Sequence, residues 1–322
     1  MGYRASWIVG VVLLAGGCDE VDEVGFDDIE EVELRAAADN SMYLNSLYLN
    51  SLYLNGSYLN GSYLNSPVGP AQYVRATEFK FNGGEPQAVW LEGSQLFVKD
   101  DLGAVFSGTD MNKLKVKYDV KENGVVKKKV LKINHATRLA PDSDVWLYDI
   151  HIKDGGTSDW TPLCLDGAGN PTQAILLSDL WNPTSGDRLT DQTAAMTYAC
   201  RGAALAKCVE WGYKPWAMAS GTSLSEFHQA CSRMVRADYC GTGTSHTVTG
   251  TPIHVLDEEG VQKIDPVAKY VVEAEWSPEG ATCLNAANTR LADQSIECSL
   301  PACGESFSSG GIIQSGKITG TK

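Results

Sequence analysis

The chain has 322 residues, of which 43% are apolar, 9% aromatic and 20% charged. That balance excludes a mostly disordered chain and a polytopic membrane protein, and it leaves length for one large domain or two modest ones. A net charge of −14 argues against a nucleic-acid partner, which would need a basic face. Nine cysteines exceed what a cytosolic chain usually carries.

Residues 1–17 read as an export signal, with Arg4 as the positive start and a short apolar core from position 8 to 15. A run that short cannot span a bilayer, which takes about 20 apolar residues. Leu14-Ala15-Gly16-Gly17-Cys18 resembles the lipobox of bacterial lipoproteins, although Ala15 stands where leucine is usual. The resemblance implies cleavage before Cys18 and acyl chains on it, and several acyl chains anchor a protein stably. The expected partner is therefore a membrane, reached through lipid.

Residues 18–39 form the expected lipidated tether. Positions 19–39 hold ten acidic residues against Arg35, a net −9 from 10 minus 1. Like charges in one run repel and extend, so the segment reads as a stand-off spacer or as an export signal. Residues 40–66 carry a period-five repeat, with Tyr at 43, 48, 53, 58 and 63, each followed by Leu and Asn. The repeat resembles the pentapeptide-repeat pattern of square β-solenoids. Five units make little more than one coil, so either a Tyr-rich linker or a stub packed on the next domain is expected.

Residues 67–140 read as β-rich. Short strands are expected at 77–81 and 88–91, and 114–120 alternates strictly between apolar and polar residues. Asn123-Gly124 then joins it to 125–133, the strongest short hairpin signal. Lysines 127–129 read as solvated edge residues that discourage pairing between sheets, not as a basic binding site. Further strands are expected at 144–152 and 174–177.

An Ala-rich helix is expected at 193–211, stopped by Gly212. A second is expected from Ser223, whose Ser223-Leu224-Ser225-Glu226 fits a capping box, to about Tyr239. Strands return at 253–256 and 269–276, and 306–322 reads as a C-terminal tail. The fold class is thus α+β: a β-rich N-terminal part, a disulfide-linked helical hairpin in the middle, and C-terminal strands.

With Cys18 spent on lipid, Cys164, Cys200, Cys208, Cys231, Cys240, Cys283, Cys298 and Cys303 remain, an even eight that reads as four disulfides. Cys200 and Cys208 would lie about 12 Å apart along one helix, and Cys231 and Cys240 about 13.5 Å along the other. Antiparallel packing then predicts two nested rungs, Cys208–Cys231 and Cys200–Cys240. The other four cysteines would supply the remaining pairs.

Ala237-Asp238-Tyr239-Cys240 resembles the signature of the ADYC domain, found in exported bacterial proteins and lipoproteins. Trp160 to Cys164, Ala199 to Cys208, Gly212 to Trp216 and Gly241 to Thr247 agree with it as ordered blocks. The resemblance is placed over 141–305 and implies a domain and a cysteine framework. It carries over no catalytic residue.

The catalytic candidates are Asp238, Ser245 and His246, beside Cys240 on a Gly-rich turn that could hold a nucleophile near an imidazole. A nucleophilic Cys240 would leave an odd thiol, so the bridged reading is preferred and no enzyme is expected. No histidine pair has metal spacing, no Cys-x-x-Cys occurs and no nucleotide fingerprint is present, so neither metal nor cofactor is expected. The reading is a bacterial cell-envelope lipoprotein, at the outer membrane or cell surface, that binds an envelope or extracellular partner or has a structural role. The alternative is an extracytoplasmic hydrolase with a site near Cys240 and His246.

Overall fold

The computed structural model describes residues 64–65, 73–122, 125–166, 168–182, 185–189, 196–248, 250–290 and 295–321. The expected signal, Cys18, the acidic tether and the first four repeats lie outside them, as does the Asn123-Gly124 turn.

The strands, in chain order, are β1 (Tyr73–Phe81), β2 (Ala88–Glu92), β3 (Gln95–Lys99), β4 (Val105–Ser107), β5 (Leu114–Glu122), β6 (Val125–Arg138), β7 (Trp146–Asp154), β8 (Ala174–Leu177) and β9 (Thr197–Cys200). Helices α1 (Ala204–Glu210) and α2 (Ser225–Arg236) follow, then β10 (His254–Asp257), β11 (Ala268–Ser277), β12 (Gly280–Leu284) and β13 (Ile313–Thr321). The result is a β-rich α+β fold.

Six of the eight strands of an antiparallel sheet run in the order β1-β5-β6-β7-β8-β9, and the short Thr161–Pro162 strand pairs with β7. Leu64–Asn65, from the last repeat, pairs with the start of β1. The β5–β6 hairpin closes with Glu122 opposite Val125, the two-residue connection expected of Asn-Gly. One face of this sheet is apolar along its whole width. Val116, Tyr118, Leu131, Ile133, Tyr148, Ile150, Leu176 and Tyr198 pack there against Leu96 and Val98 of the small β2-β3-β4 sheet. Tyr148 pins the two sheets together, its hydroxyl accepting from the Leu96 N–H at 2.8 Å.

The opposite face is covered only at its far end. Leu147, Ile175, Leu177 and Ala199 alternate onto that side, where α1, α2 and the C-terminal sheet bury them. Strands β8 and β9 are therefore buried on both faces, which accounts for their continuous apolar runs. The C-terminal sheet has the order β10-β13-β11-β12. Ile313–Thr321, expected as part of a tail, is a strand of it with neighbours on both sides; too few apolar residues there advertise the pairing.

The helix expected at 193–211 is a strand followed by a short helix. Gly202, with φ at +87°, breaks the backbone between Cys200 and Ala204. Cys200 therefore sits in β9 and bonds Cys164, while Cys240 bonds Cys298 and Cys283 bonds Cys303. The outer rung Cys200–Cys240 does not form. The inner one, Cys208–Cys231, joins α1 to α2 as expected. The capping box is not made either. Helix α2 starts at Ser225 after Leu224, and Ser223 Oγ accepts only the Ser225 N–H, at 3.3 Å, not that of Glu226.

Candidate functional site

Every residue of Ala237-Asp238-Tyr239-Cys240 and the glycine after it has a structural task. Helix α2 terminates at Ala237, which is left-handed at φ +50° and ψ +43°. The N–H groups of Ala237 and Asp238 turn back to the carbonyls of Met234 and Arg233, closing the helix end.

Asp238 then points into the protein and is fully buried. Its carboxylate accepts from Arg233 Nη1 at 2.6 Å and from the Gly243 N–H at 3.0 Å, with Arg236 Nη1 at 3.7 Å. Arg233 also bonds Asp187 and the carbonyls of Ser185 and Pro278. A buried charge is tolerated only when paired and hydrogen-bonded. Asp238 and Arg233 meet that condition, and in doing so they draw the 185–187 segment, the 243 turn and the β11–β12 turn onto one helix end. Arg236 meets it less well: its Nη2 bonds the Gly243 carbonyl, while Nε and Nη1 have no hydrogen-bond partner.

Tyr239 donates its hydroxyl to Glu273 Oε1 at 2.8 Å. Glu273 is held by Arg290 at 2.6 Å and accepts from Ser315 Oγ at 2.7 Å, all three residues buried. Arg290 reaches on to the Met234 carbonyl at 2.8 Å. Burial pushes the Glu273 carboxyl up, but the Arg290 guanidinium outweighs it and holds the group below the usual carboxylate range. Burial drives the Tyr239 phenol well above its ordinary value, so it stays a donor. Its ring stacks on Trp276 at 5.2 Å between centroids.

Cys240 is disulfide-bonded, and Gly241 must be glycine. Its φ is +67°, and a Cβ there would lie 1.7 Å from the Glu279 carbonyl oxygen. The close approach allows the Ala281 N–H to bond the Tyr239 carbonyl at 2.9 Å.

Ser245 and His246 sit beside this knot without forming a catalytic pair. Ser245 Oγ donates to the Arg236 carbonyl at 2.9 Å. His246 places Nδ1 3.1 Å from the Ala237 carbonyl and Nε2 3.2 Å from Glu297 Oε2. Both ring nitrogens thus face oxygen acceptors. Asp238 contacts the arginines and Gly243, not His246. The three candidates are close in sequence and in space, but each is bonded to a different group. Among the described residues no cluster of three His, Cys, Asp or Glu is placed to hold a metal.

Sequence reasoning missed Glu273 and Arg290. Glu273 lies on a strand whose alternation assigns it to the wet side, yet β11 is buried on both faces from Glu273 to Trp276.

The ADYC domain family matches residues 103–290, more than half of the chain. The protein belongs to the ADYC-domain family. The match begins in the β3–β4 turn, takes in the β5–β6 hairpin and ends at Arg290, so it includes Asp187, Asp238 and the Glu273–Arg290 pair but not Ser315. No curated protein and no solved structure matches the chain. The four disulfides of the chain, two of them wholly within the matched residues, point to an oxidising, extracytoplasmic environment. No helix among the described residues is long and apolar enough to cross a membrane.

Proposed function

We propose that this ADYC-domain protein is a lipoprotein of the bacterial cell envelope, held at the outer membrane or cell surface by acyl chains on Cys18, and that it serves as a binding or structural module. The observation that carries the reading is the cysteine balance. Eight of nine cysteines are consumed in four disulfides, and the ninth is the Cys18 of the lipobox-like segment. In this reading α1 and α2 act as a helical hairpin closed by Cys208–Cys231. That bond spans 23 residues and contributes about 3.4 kcal/mol on the chain-entropy view. Acidic residues 19–39 and the Tyr-Leu-Asn repeats separate the domain from the bilayer.

A hydrolytic reading has less support. Cys240 has no free thiol, and Ser245 is committed to a backbone carbonyl. Labelled palmitate should enter the wild-type protein and not Cys18→Ala, and the unreduced, denatured protein should contain no titratable thiol apart from an unacylated Cys18. Several reactive sulfhydryls, or no label on the wild type, would sink the proposal.

A further inference from the structure

The two faces of the main sheet differ at its β1-β5-β6 end. One is the apolar core; the other is covered there by neither the helices nor the C-terminal sheet. Register and alternation place six lysines on the open side. Lys80 lies opposite Lys115 and Lys115 opposite Lys132, while Lys128 and Lys153 flank them on β6 and β7 and Lys117 faces Glu78. Lys80, Lys115, Lys117 and Lys128 are exposed. The acids sharing the face are Glu78, Asp119 and Asp149. Glu78 is engaged by Lys117 at 2.6 Å and Lys80 at 3.0 Å. Trp160 lies across the same side, with the Lys132 and Lys153 ammonium groups 4.5 and 5.2 Å from its ring. Strand β6 is internal to the sheet, so its lysines do not protect an edge, as 127–129 were expected to do. They leave a cationic platform on a chain of net charge −14.

We propose that this platform is the docking site for the chain's own acidic segment, residues 19–39. The charges are complementary: ten carboxylates and one arginine against six lysines and three carboxylates. The reach is sufficient. Twenty-four residues lie between Asp39 and Leu64, and Leu64 pairs beside β1, at the margin of the platform. That length spans about 80 Å at full extension, whereas three strands occupy about 15 Å. A tethered ligand also acts at an effective concentration on the order of millimolar, which weak surface ion pairs need if they are to hold. The occupant is thus chemically defined as a polycarboxylate segment with interspersed Val21, Phe26, Ile29 and Leu34, whose apolar side chains can meet Trp160. The acidic tether then does more than space the domain from the membrane. It covers a basic surface that an anionic bilayer would otherwise attract.

Carbodiimide coupling of the full chain, read by peptide mass spectrometry, tests the docking. Isopeptide links should join carboxylates of 19–39 to Lys115, Lys117, Lys132 and Lys153 in preference to the exposed Lys263 and Lys269, and should fall roughly tenfold in 1 M salt, where the Debye length is about 3 Å. Replacing the ten acids by Asn and Gln should raise acetylation of the platform lysines several-fold. Lys115→Glu with Lys132→Glu should lose the links, and Asp27→Lys, Asp28→Lys, Glu30→Lys and Glu31→Lys in the same chain should restore contact, read as platform Glu to tail Lys links. Links spread evenly over all exposed lysines, or acetylation unchanged by the tail replacements, would overturn the proposal. So would sedimentation of the wild-type chain with phosphatidylglycerol vesicles and no tail links, which would assign the platform to the membrane.

Discussion

The buried knot behind α2 and the lysine platform on the main sheet use the same side-chain chemistry under opposite conditions. In the knot, Glu273 and Arg290 have left water almost completely, and each finds several partners. On the platform, Lys80 and Lys117 share Glu78 in full solvent. Desolvation makes the first arrangement all-or-none, because removing one partner strands a buried charge. Screening makes the second individually negligible, and the platform's charge counts only as a sum.

This contrast can be broken at several points. Arg290→Met should cost about 3–5 kcal/mol in urea unfolding, and adding Glu273→Gln should recover part of that, because the stranded carboxylate is then neutral. Equal losses in the single and double variants would show that the pair acts by packing alone. Gly241→Ala should cost about 3 kcal/mol, from left-handed strain and the clash with the Glu279 carbonyl. Ala237→Gly, four residues earlier, relieves the same kind of strain while losing one buried methyl, and should change stability by less than about 1 kcal/mol.

A pH-dependent effect belongs to His228 on α2, fully buried, with Nε2 donating to the Leu205 carbonyl at 3.0 Å and Nδ1 unpartnered. Burial depresses it to about 4. Below its unfolded value of about 6.5 the unfolded chain takes a proton that the folded one refuses. Its stability contribution is therefore complete above pH 6.5 and falls as the pH drops toward 4. Between pH 7.5 and 4.5 the wild type should lose about 2–3 kcal/mol more than His228→Gln. A difference of the opposite sign would mean that the ring is charged in the fold. At the lower end of the scale, Lys117→Ala should leave the urea midpoint unchanged, since the ion pair it breaks is solvated. A measurable drop there would erase the distinction between the two regions.

Much of the fold was legible locally. The strict alternation at 114–120 and the Asn-Gly step define the β5–β6 hairpin, and 174–177 is a strand with the expected bounds. Cys208–Cys231 followed from two short helices in succession. Residues 193–200 misled, because an alanine-rich run reads as helix while a strand buried on both faces needs only small and aromatic side chains to fit between two cores. Of the candidate site, the signature was visible but its use was not. Asp238 looks available in sequence, and only the approach of Arg233 and Gly243 shows that it is committed; Cys240 was expected to be bridged, but not to Cys298.

By itself, then, the sequence established what depends on neighbours along the chain: hairpin turns, helix stops, an acidic stretch, a family signature and an even number of cysteines beyond Cys18. The tertiary structure alone decided which cysteines meet, which sheet face stays wet and which charges are withdrawn from water. Those outcomes join residues dozens of positions apart, 58 in the case of Cys240 and Cys298. Local periodicity carries no information about such pairings, because they are selected by how two cores close over one sheet.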